Sequence, residues 1–266
     1  MGSKKFLKVE NIKSGYSSKE IIHGISFEAD KHSITCLLGA NGSGKTTLLK
    51  CLCSLHPHEG KTILKTEELE KLSLKERAKR ISYISQTSGI EMSISVLDVV
   101  LMGFNPTLSL LQRPSLKQIN LAKDALAYFK LESYAQRDYI TLSGGEKQLV
   151  IMARMMVENS LLLLLDEPDS ALDFNNRHTI LKTIAEIVKK EEKACVLCLH
   201  DPILSLQYCD QILLIKDGLC VACIYPQIDS VEIIEDALSK IYGNIKVEMK
   251  IGKNNKRMFH LFLEEE

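Results

Sequence analysis

Residues 34–53, ITCLLGANGSGKTTLLKCLC, decide the fold. Ile34–Leu38 is apolar at nearly every position, as a strand covered on both faces reads. Gly39 to Thr46 then follows the pattern GxxxxGK[ST], and a helical stretch comes next. Strand, glycine loop and helix in this order form a phosphate cradle. The glycines let backbone N–H groups turn inward, and the helix start adds its partial positive charge. Gly39, Asn41, Gly42, Ser43, Gly44, Lys45, Thr46 and Thr47 are therefore the candidate binding residues. Lys45 is placed to bridge the β- and γ-phosphates, and the Thr46 hydroxyl to ligate Mg²⁺. The implied ligand is a nucleoside triphosphate.

Working outward, ISYI (81–84), LLLLL (161–165), ACVLCL (194–199) and ILLI (212–215) are also apolar at successive positions. Helical patterns lie between them, around 45–53, 175–190 and 202–208. The alternation predicts an α/β fold, a P-loop NTPase core with a mostly parallel sheet. FLKVENIKSGY and IIHGISFEAD predict an antiparallel β layer beside it. From 89 to 158 the alternation breaks: VLDVVLMGF and SLKQINLAKDALAYFKL carry helical spacing, with Leu116, Ile119, Leu126 and Phe129 near one face. The chain thus divides into a core (1–88 and 159–230), a helical subdomain (89–158) and a C-terminal extension (231–266). In the extension, NIKVEMKIG and RMFHLFLEE suggest a hairpin whose lysines form a solvated face.

Composition narrows the function classes. The 266 residues are 45% hydrophobic and 26% charged, an ordinary globular balance. Lys+Arg 34 equals Asp+Glu 34, so no bulk attraction to nucleic acid is expected. Leu161–Leu165 is far shorter than the roughly eighteen apolar residues of a spanning helix, so no direct membrane insertion is expected. MGSKKF lacks the apolar stretch of a secretion signal. Eight cysteines then read as free thiols. Cys195/Cys198 and Cys220/Cys223 have CxxC spacing, but strand residues three apart point to opposite faces, which separates the sulfurs. They are expected to be small buried hydrophobes rather than metal ligands.

Asp166 and Glu167 stand where the run LLLLL ends, and His200 directly follows ACVLCL. Ligands in open α/β sheets bind beyond the carboxyl ends of the strands, so Gly39, Asp166, Glu167 and His200 should share one edge. Asp166 suits a water-mediated Mg²⁺ contact, and Glu167 a base that deprotonates an attacking water. No acceptor-binding motif is visible, which favours hydrolysis over phosphoryl transfer to a second substrate.

Ser143-Gly144-Gly145-Glu146 has capping-box spacing and opens a helix with Leu149, Met152, Ala153 and Met156 on one stripe. LSGGEKQ, with Asp166 placed 23 residues beyond Ser143, resembles the signature of the ATP-binding cassette (ABC) ATPases. The likeness runs through nearly the whole chain in motif order. It implies that Tyr16 stacks on adenine, that Gln86 touches Mg²⁺ and water and senses a transmembrane partner, and that His200 contacts the γ-phosphate. Ser170-Ala171-Leu172-Asp173 matches the D-loop. It also implies a head-to-tail dimer, in which Ser143, Gly144 and Gly145 of one subunit close on the ATP of the other. Asp169 where the family often has Thr, Leu149 where Arg is frequent, and Ala40 for a frequent Pro are departures that remove no catalytic group.

Resemblance further implies separate permease subunits, gripped through the helical subdomain and Gln86, at the cytoplasmic face of the cell membrane. SISVLDVVLMG, HDPILSLQYCDQILLIKDG and the C-terminal extension resemble importers of iron–siderophore, haem or cobalamin. The alternative is a soluble ABC ATPase of cofactor assembly or regulation. DNA-acting relatives carry long coiled coils between Lys45 and Ser143, and about a hundred residues leave no room for one.

Overall fold

The computed structural model describes residues 5–17, 19–86, 89–109, 111–170, 172–252 and 255–263. Strands β1 (Leu7–Tyr16) and β2 (Lys19–Ala29) pair antiparallel. β3 (Ile34–Leu38) follows, then α1 (Lys45–Leu52). β4 (Glu59–Leu64) returns to pair antiparallel with β1 and is extended by the short β5 (Glu67–Glu68), giving an antiparallel sheet in the order β2-β1-β4-β5. The sequence signalled the β1–β2 layer but not the arrival of β4, which has no apolar run.

After α2 (Leu74–Ala78) and β6 (Ile81–Ile84), residues 89–158 hold α3 (Val96–Leu101), α4 (Leu116–Tyr128) and α5 (Gly144–Val157). Serine starts most of these helices: Ser73, Ser95, Ser115 and Ser143 each accept a hydrogen bond from a first-turn N–H. Such a cap is worth about 1 kcal/mol over alanine. The face expected for α4 is corrected at one end. Leu116 is 80% exposed, whereas Ala122, Ala125, Leu126 and Phe129 are buried. As the first helical residue, Leu116 extends past the part of α4 that packs on its neighbours. The stripe expected on α5 is also too narrow: Val150, Ile151, Met152, Ala153 and Met155 are buried, while Leu149 and Met156 are only half-buried. This helix is packed by α3, α4 and α6 (Phe174–Lys190), so more than one side is covered.

The main sheet is completed by β7 (Leu162–Asp166), β8 (Ala194–Leu199), β9 (Gln211–Lys216) and β10 (Leu219–Ile224), with α7 (Pro202–Tyr208) between β8 and β9. Its order is β10-β9-β3-β8-β7-β6, parallel throughout except for β10. Alternate side chains enter two cores. Cys36, Leu38, Leu163, Leu165, Cys195 and Leu197 face one; Leu37, Leu162, Leu164, Val196 and Cys198 face the other. Cys195 and Cys198 thus diverge, as strand geometry requires. Each fully buried leucine here contributes about 1.5–3 kcal/mol of transfer free energy. Strand β7 is displaced by one residue from LLLLL: Leu161 and Leu162 both donate to Arg80 O, and ladder pairing with β6 begins at Leu162.

The chain closes with α8 (Val231–Tyr242) and a hairpin of β11 (Ile245–Ile251) and β12 (Arg257–Leu263), paired from Ile245↔Leu263 to Ile251↔Arg257. Lys246 and Lys250 lie on its exposed side.

Candidate active site

Five parallel strands end on one edge, and the chemistry-bearing residues gather there. Beyond the fully buried β3, the loop turns at Gly42 (φ 79°) and Gly44 (φ 104°) before α1 begins. These φ values exclude ordinary side chains. A Cβ on Gly39 would sit 2.2 Å from Ile215 O, and one on Gly44 would sit 2.5 Å from Ile22 Cδ1. The loop is therefore wedged against β9 and β2. No side chain caps α1 and its first turn holds no acid, so its leading N–H groups face the loop. Lys45 is buried, with Nζ donating to Gly39 O (2.8 Å) and Ala40 O (3.0 Å). Asn41 and Gly42 are exposed, and Thr47 is buried. The Ser43 hydroxyl is buried without a partner. A cavity of about 190 Å³ opens among Asn41, Gly42, Gly44, Lys45, Thr46 and Thr47, with Glu167 on its wall.

Across the cavity, Thr46 Oγ1 donates to Asp166 Oδ1 at 3.1 Å. Asp166 is the last residue of β7 and pairs in register with Cys198. Burial pushes its carboxyl up, opposed by the Thr46 hydroxyl. Glu167 comes next in a left-handed backbone conformation, φ 50°, uncommon outside glycine and asparagine. Gln86, two residues beyond β6, donates through Nε2 to Glu167 Oε2 at 2.7 Å. His200, one residue beyond β8, meets Glu167 Oε1 through Nε2. Three strand ends thus bring an amide, a carboxylate and an imidazole into one hydrogen-bonded row. The neighbour of His200, Asp201, caps α7 by accepting from Ile203 N (2.8 Å) and Leu204 N (3.2 Å).

The remaining predicted residues lie elsewhere. Tyr16, at the end of β1, is 45% exposed and sets its ring 4.2 Å from that of His56. Ser143 caps α5: Ser143 N donates to Glu146 Oε2 at 2.8 Å, and Glu146 N donates to Ser143 Oγ at 3.3 Å. The Ser143 backbone and hydroxyl hold the Glu146 carboxyl below the usual range. Gly144 is exposed and Gly145 half-buried, both at the open end of this helix. Asp173 caps α6, its two oxygens accepting from Asn176 N (2.8 Å) and Asn176 Nδ2 (3.0 Å). Ala171 lies outside the described residues. None of Tyr16, Ser143, Gly144, Gly145 or Asp173 shares a hydrogen bond with the row at Glu167.

One linking residue was not singled out by sequence reasoning. Buried Gln148 donates through Nε2 to Pro168 O at 2.9 Å, tying α5 to the turn that carries Glu167. Its place as the last residue of LSGGEKQ was the available signal. Asp169, noted only as a departure, is buried, and desolvation pushes its carboxyl up.

The chain is similar to known proteins in sequence and in fold. Residues 22–170 match the ABC transporter family, ABC_tran. Over 213 residues the chain is 41% identical to a Helicobacter pylori protein named as a probable iron chelatin transport ATP-binding protein, covering 79% of this chain and 84% of that one. It is 35% identical over 218 residues to the hemin import ATP-binding protein HmuV of Pseudomonas aeruginosa, covering 80% and 84%. Among solved structures it superposes with TM-score 0.80 and 26% identity on a chain assigned to a metal-chelate type ABC transporter in an inward-facing conformation, covering 97% of each. The chain belongs to the ABC transporter family as an ATP-binding cassette, an ATPase whose hydrolysis is coupled to transport.

Proposed function

We propose that this cassette powers import of an iron–siderophore, haem or cobalamin type cargo through separate permease subunits. The observation that carries the reading is Glu167, held between Gln86 and His200 on the wall of the phosphate cavity. Relatives named for iron chelatin and hemin transport support the cargo class.

In this reading Lys45 leaves the Gly39 and Ala40 carbonyls to meet the β- and γ-phosphates, while the N–H groups of the loop and of Lys45, Thr46 and Thr47 hold phosphate oxygens. Tyr16 offers its exposed ring to adenine. The hydroxyl of Thr46, the carboxylate of Asp166 and the amide oxygen of Gln86 would supply hard oxygens that suit Mg²⁺. Thr46 and Asp166 already stand 3.1 Å apart. The ion, when bound, neutralises charge on the phosphate oxygens. The Glu167 carboxylate accepts the proton of the attacking water, and Gln86 and His200 keep that carboxylate aimed. His200 also offers a donor to the γ-phosphate.

Among the described residues, Ser143, Gly144 and Gly145 share no hydrogen bond with this cradle, and dimeric cassettes among the similar folds support closure of a second copy, head to tail, on each ATP. The signature helix end presents unpaired N–H groups that a phosphate satisfies, and Asp173 lies beside the shared boundary. Residues 89–158 and Gln86 form the surface offered to the permease. No helix among the described residues is long and apolar enough to cross a membrane. The place proposed for the cassette, peripheral at the cytoplasmic face, is supported by its likeness to import ATPases.

Glu167→Gln tests the assignment. It keeps the shape but removes the base, and general-base catalysis contributes about 10²–10⁴ in rate. Phosphate release should fall by that factor while equilibrium ATP binding survives and dimers accumulate. Turnover within threefold of the parent would refute the role of Glu167. Co-purification with a multi-spanning membrane subunit tests the transport assignment.

A further inference from the structure

The C-terminal segment has no part in the mechanism described above, yet it touches the active site. α8 ends on Tyr242, whose hydroxyl donates to the backbone carbonyl of His200 at 3.3 Å. Burial pushes the phenol up to about 12, so it remains a donor throughout the physiological range. The acceptor belongs to the peptide joining His200 to Asp201. The orientation of that peptide sets the direction in which the His200 ring leaves the strand end.

Tyr242 is itself held in place. Gly243 follows at φ 78°, a left-handed value that lets the chain leave the helix at once and enter β11 two residues later. Glu235 on α8 accepts from Val247 N (2.9 Å) and Lys246 Nζ (3.0 Å), fastening helix to hairpin. Ile234, Ala237 and Leu238 are buried in the main core, and Lys216 Nζ donates to Lys240 O at 3.0 Å. The hairpin reaches the far end of the same segment: Lys256 Nζ lies 5.6 Å from the centre of the Tyr208 ring, at the close of α7. One unit therefore grips the stretch from His200 to Tyr208 at both ends.

We propose that Tyr242 is a positioning residue for His200, through which the C-terminal α8–β11–β12 unit sets the rate of hydrolysis. The proposal rests on the reading that His200 acts at the γ-phosphate. Tyr242→Phe in the full chain removes the donor and leaves the ring in its packing. Loss of one neutral hydrogen bond predicts a fall in kcat of about two- to tenfold. The KM for ATP should be unchanged and the melting temperature nearly so. In protein labelled with ¹³C-histidine, the His200 ring resonance, identified by its loss in His200→Ala, should move. His200→Ala is assayed alongside. If it abolishes turnover while Tyr242→Phe keeps the parental kcat and His200 resonance, the positioning role is overturned and the reading of His200 stands. If both variants turn over normally, the reading of His200 falls and the proposal with it. A rate loss in Tyr242→Phe that only tracks lost ATP affinity or lost folded protein also overturns it.

Discussion

Replacing Gln148 by leucine isolates the strut between the signature helix and the catalytic turn. Leucine is close to glutamine in volume though one bond shorter, so the change removes the donor without opening a large cavity. Pro168 is buried, and its carbonyl then loses the Gln148 Nε2 contact at 2.9 Å. A buried polar group left unsatisfied costs about 1–3 kcal/mol. For a chain of this size each kcal/mol lowers Tm by about 2–4 °C, so a drop of roughly 2–12 °C is expected in scanning calorimetry of the purified chain. Gln148→Glu sharpens the result. At neutral pH it sets a carboxylate against a carbonyl oxygen and should melt lower than the leucine variant, recovering at acid pH once the carboxyl is protonated and can donate. Because Pro168 follows Glu167, both variants should also lose ATPase rate at saturating ATP. Parental melting temperatures within about 1 °C in both would show that the strut carries no stability.

Lys45→Ala should weaken ATP binding at least tenfold in an equilibrium fluorescence titration, since the cradle loses the cation of Lys45; unaltered affinity contradicts that role. Ser143→Arg should bind ATP as a monomer but form no ATP-dependent dimer by light scattering, and dimers of normal size would disprove the shared site. The nearly buried His58 contacts Glu70 Oε1 through Nε2 at 3.3 Å, and that hydrogen bond raises its pKa above the ordinary 6.5. A pKa raised in the folded state gives stability that is complete below about pH 6.5 and fades as pH climbs through the folded value. The gap in urea-unfolding free energy between parent and His58→Gln should therefore narrow from pH 6 to pH 8; a gap that widens reverses the sign.

Much of this architecture was legible because buried parallel strands announce themselves. ITCLL, ISYI and ACVLCL coincide with β3, β6 and β8 to the residue, since a strand covered on both faces tolerates few polar positions. Capping boxes located the start of α5 equally well. Strand β4, EGKTIL, was invisible for the opposite reason: it lies in an antiparallel layer where exposed Glu59, Gly60 and Lys61 erase the apolar signal. The cradle could be read from local spacing alone. The row Gln86–Glu167–His200 could be placed on one edge but not bonded together, because its members are 81 and 33 residues apart. Gln148 and Tyr242 escaped for a different reason: each donates to a backbone carbonyl, and a carbonyl carries no mark in the sequence.

The left-handed backbone at Glu167 has a thermodynamic consequence. A non-glycine residue in that conformation costs about 1–3 kcal/mol and persists only where its surroundings enforce it. Here the flanking strand, the Ser170 hydroxyl and amide bonded to Glu167 O, and the two partners of the carboxylate supply the enforcement. The turn is a spring held shut by its own neighbours, and it sits where the proposed attack of water on phosphate takes place. Glycine there would relax the spring and silence it.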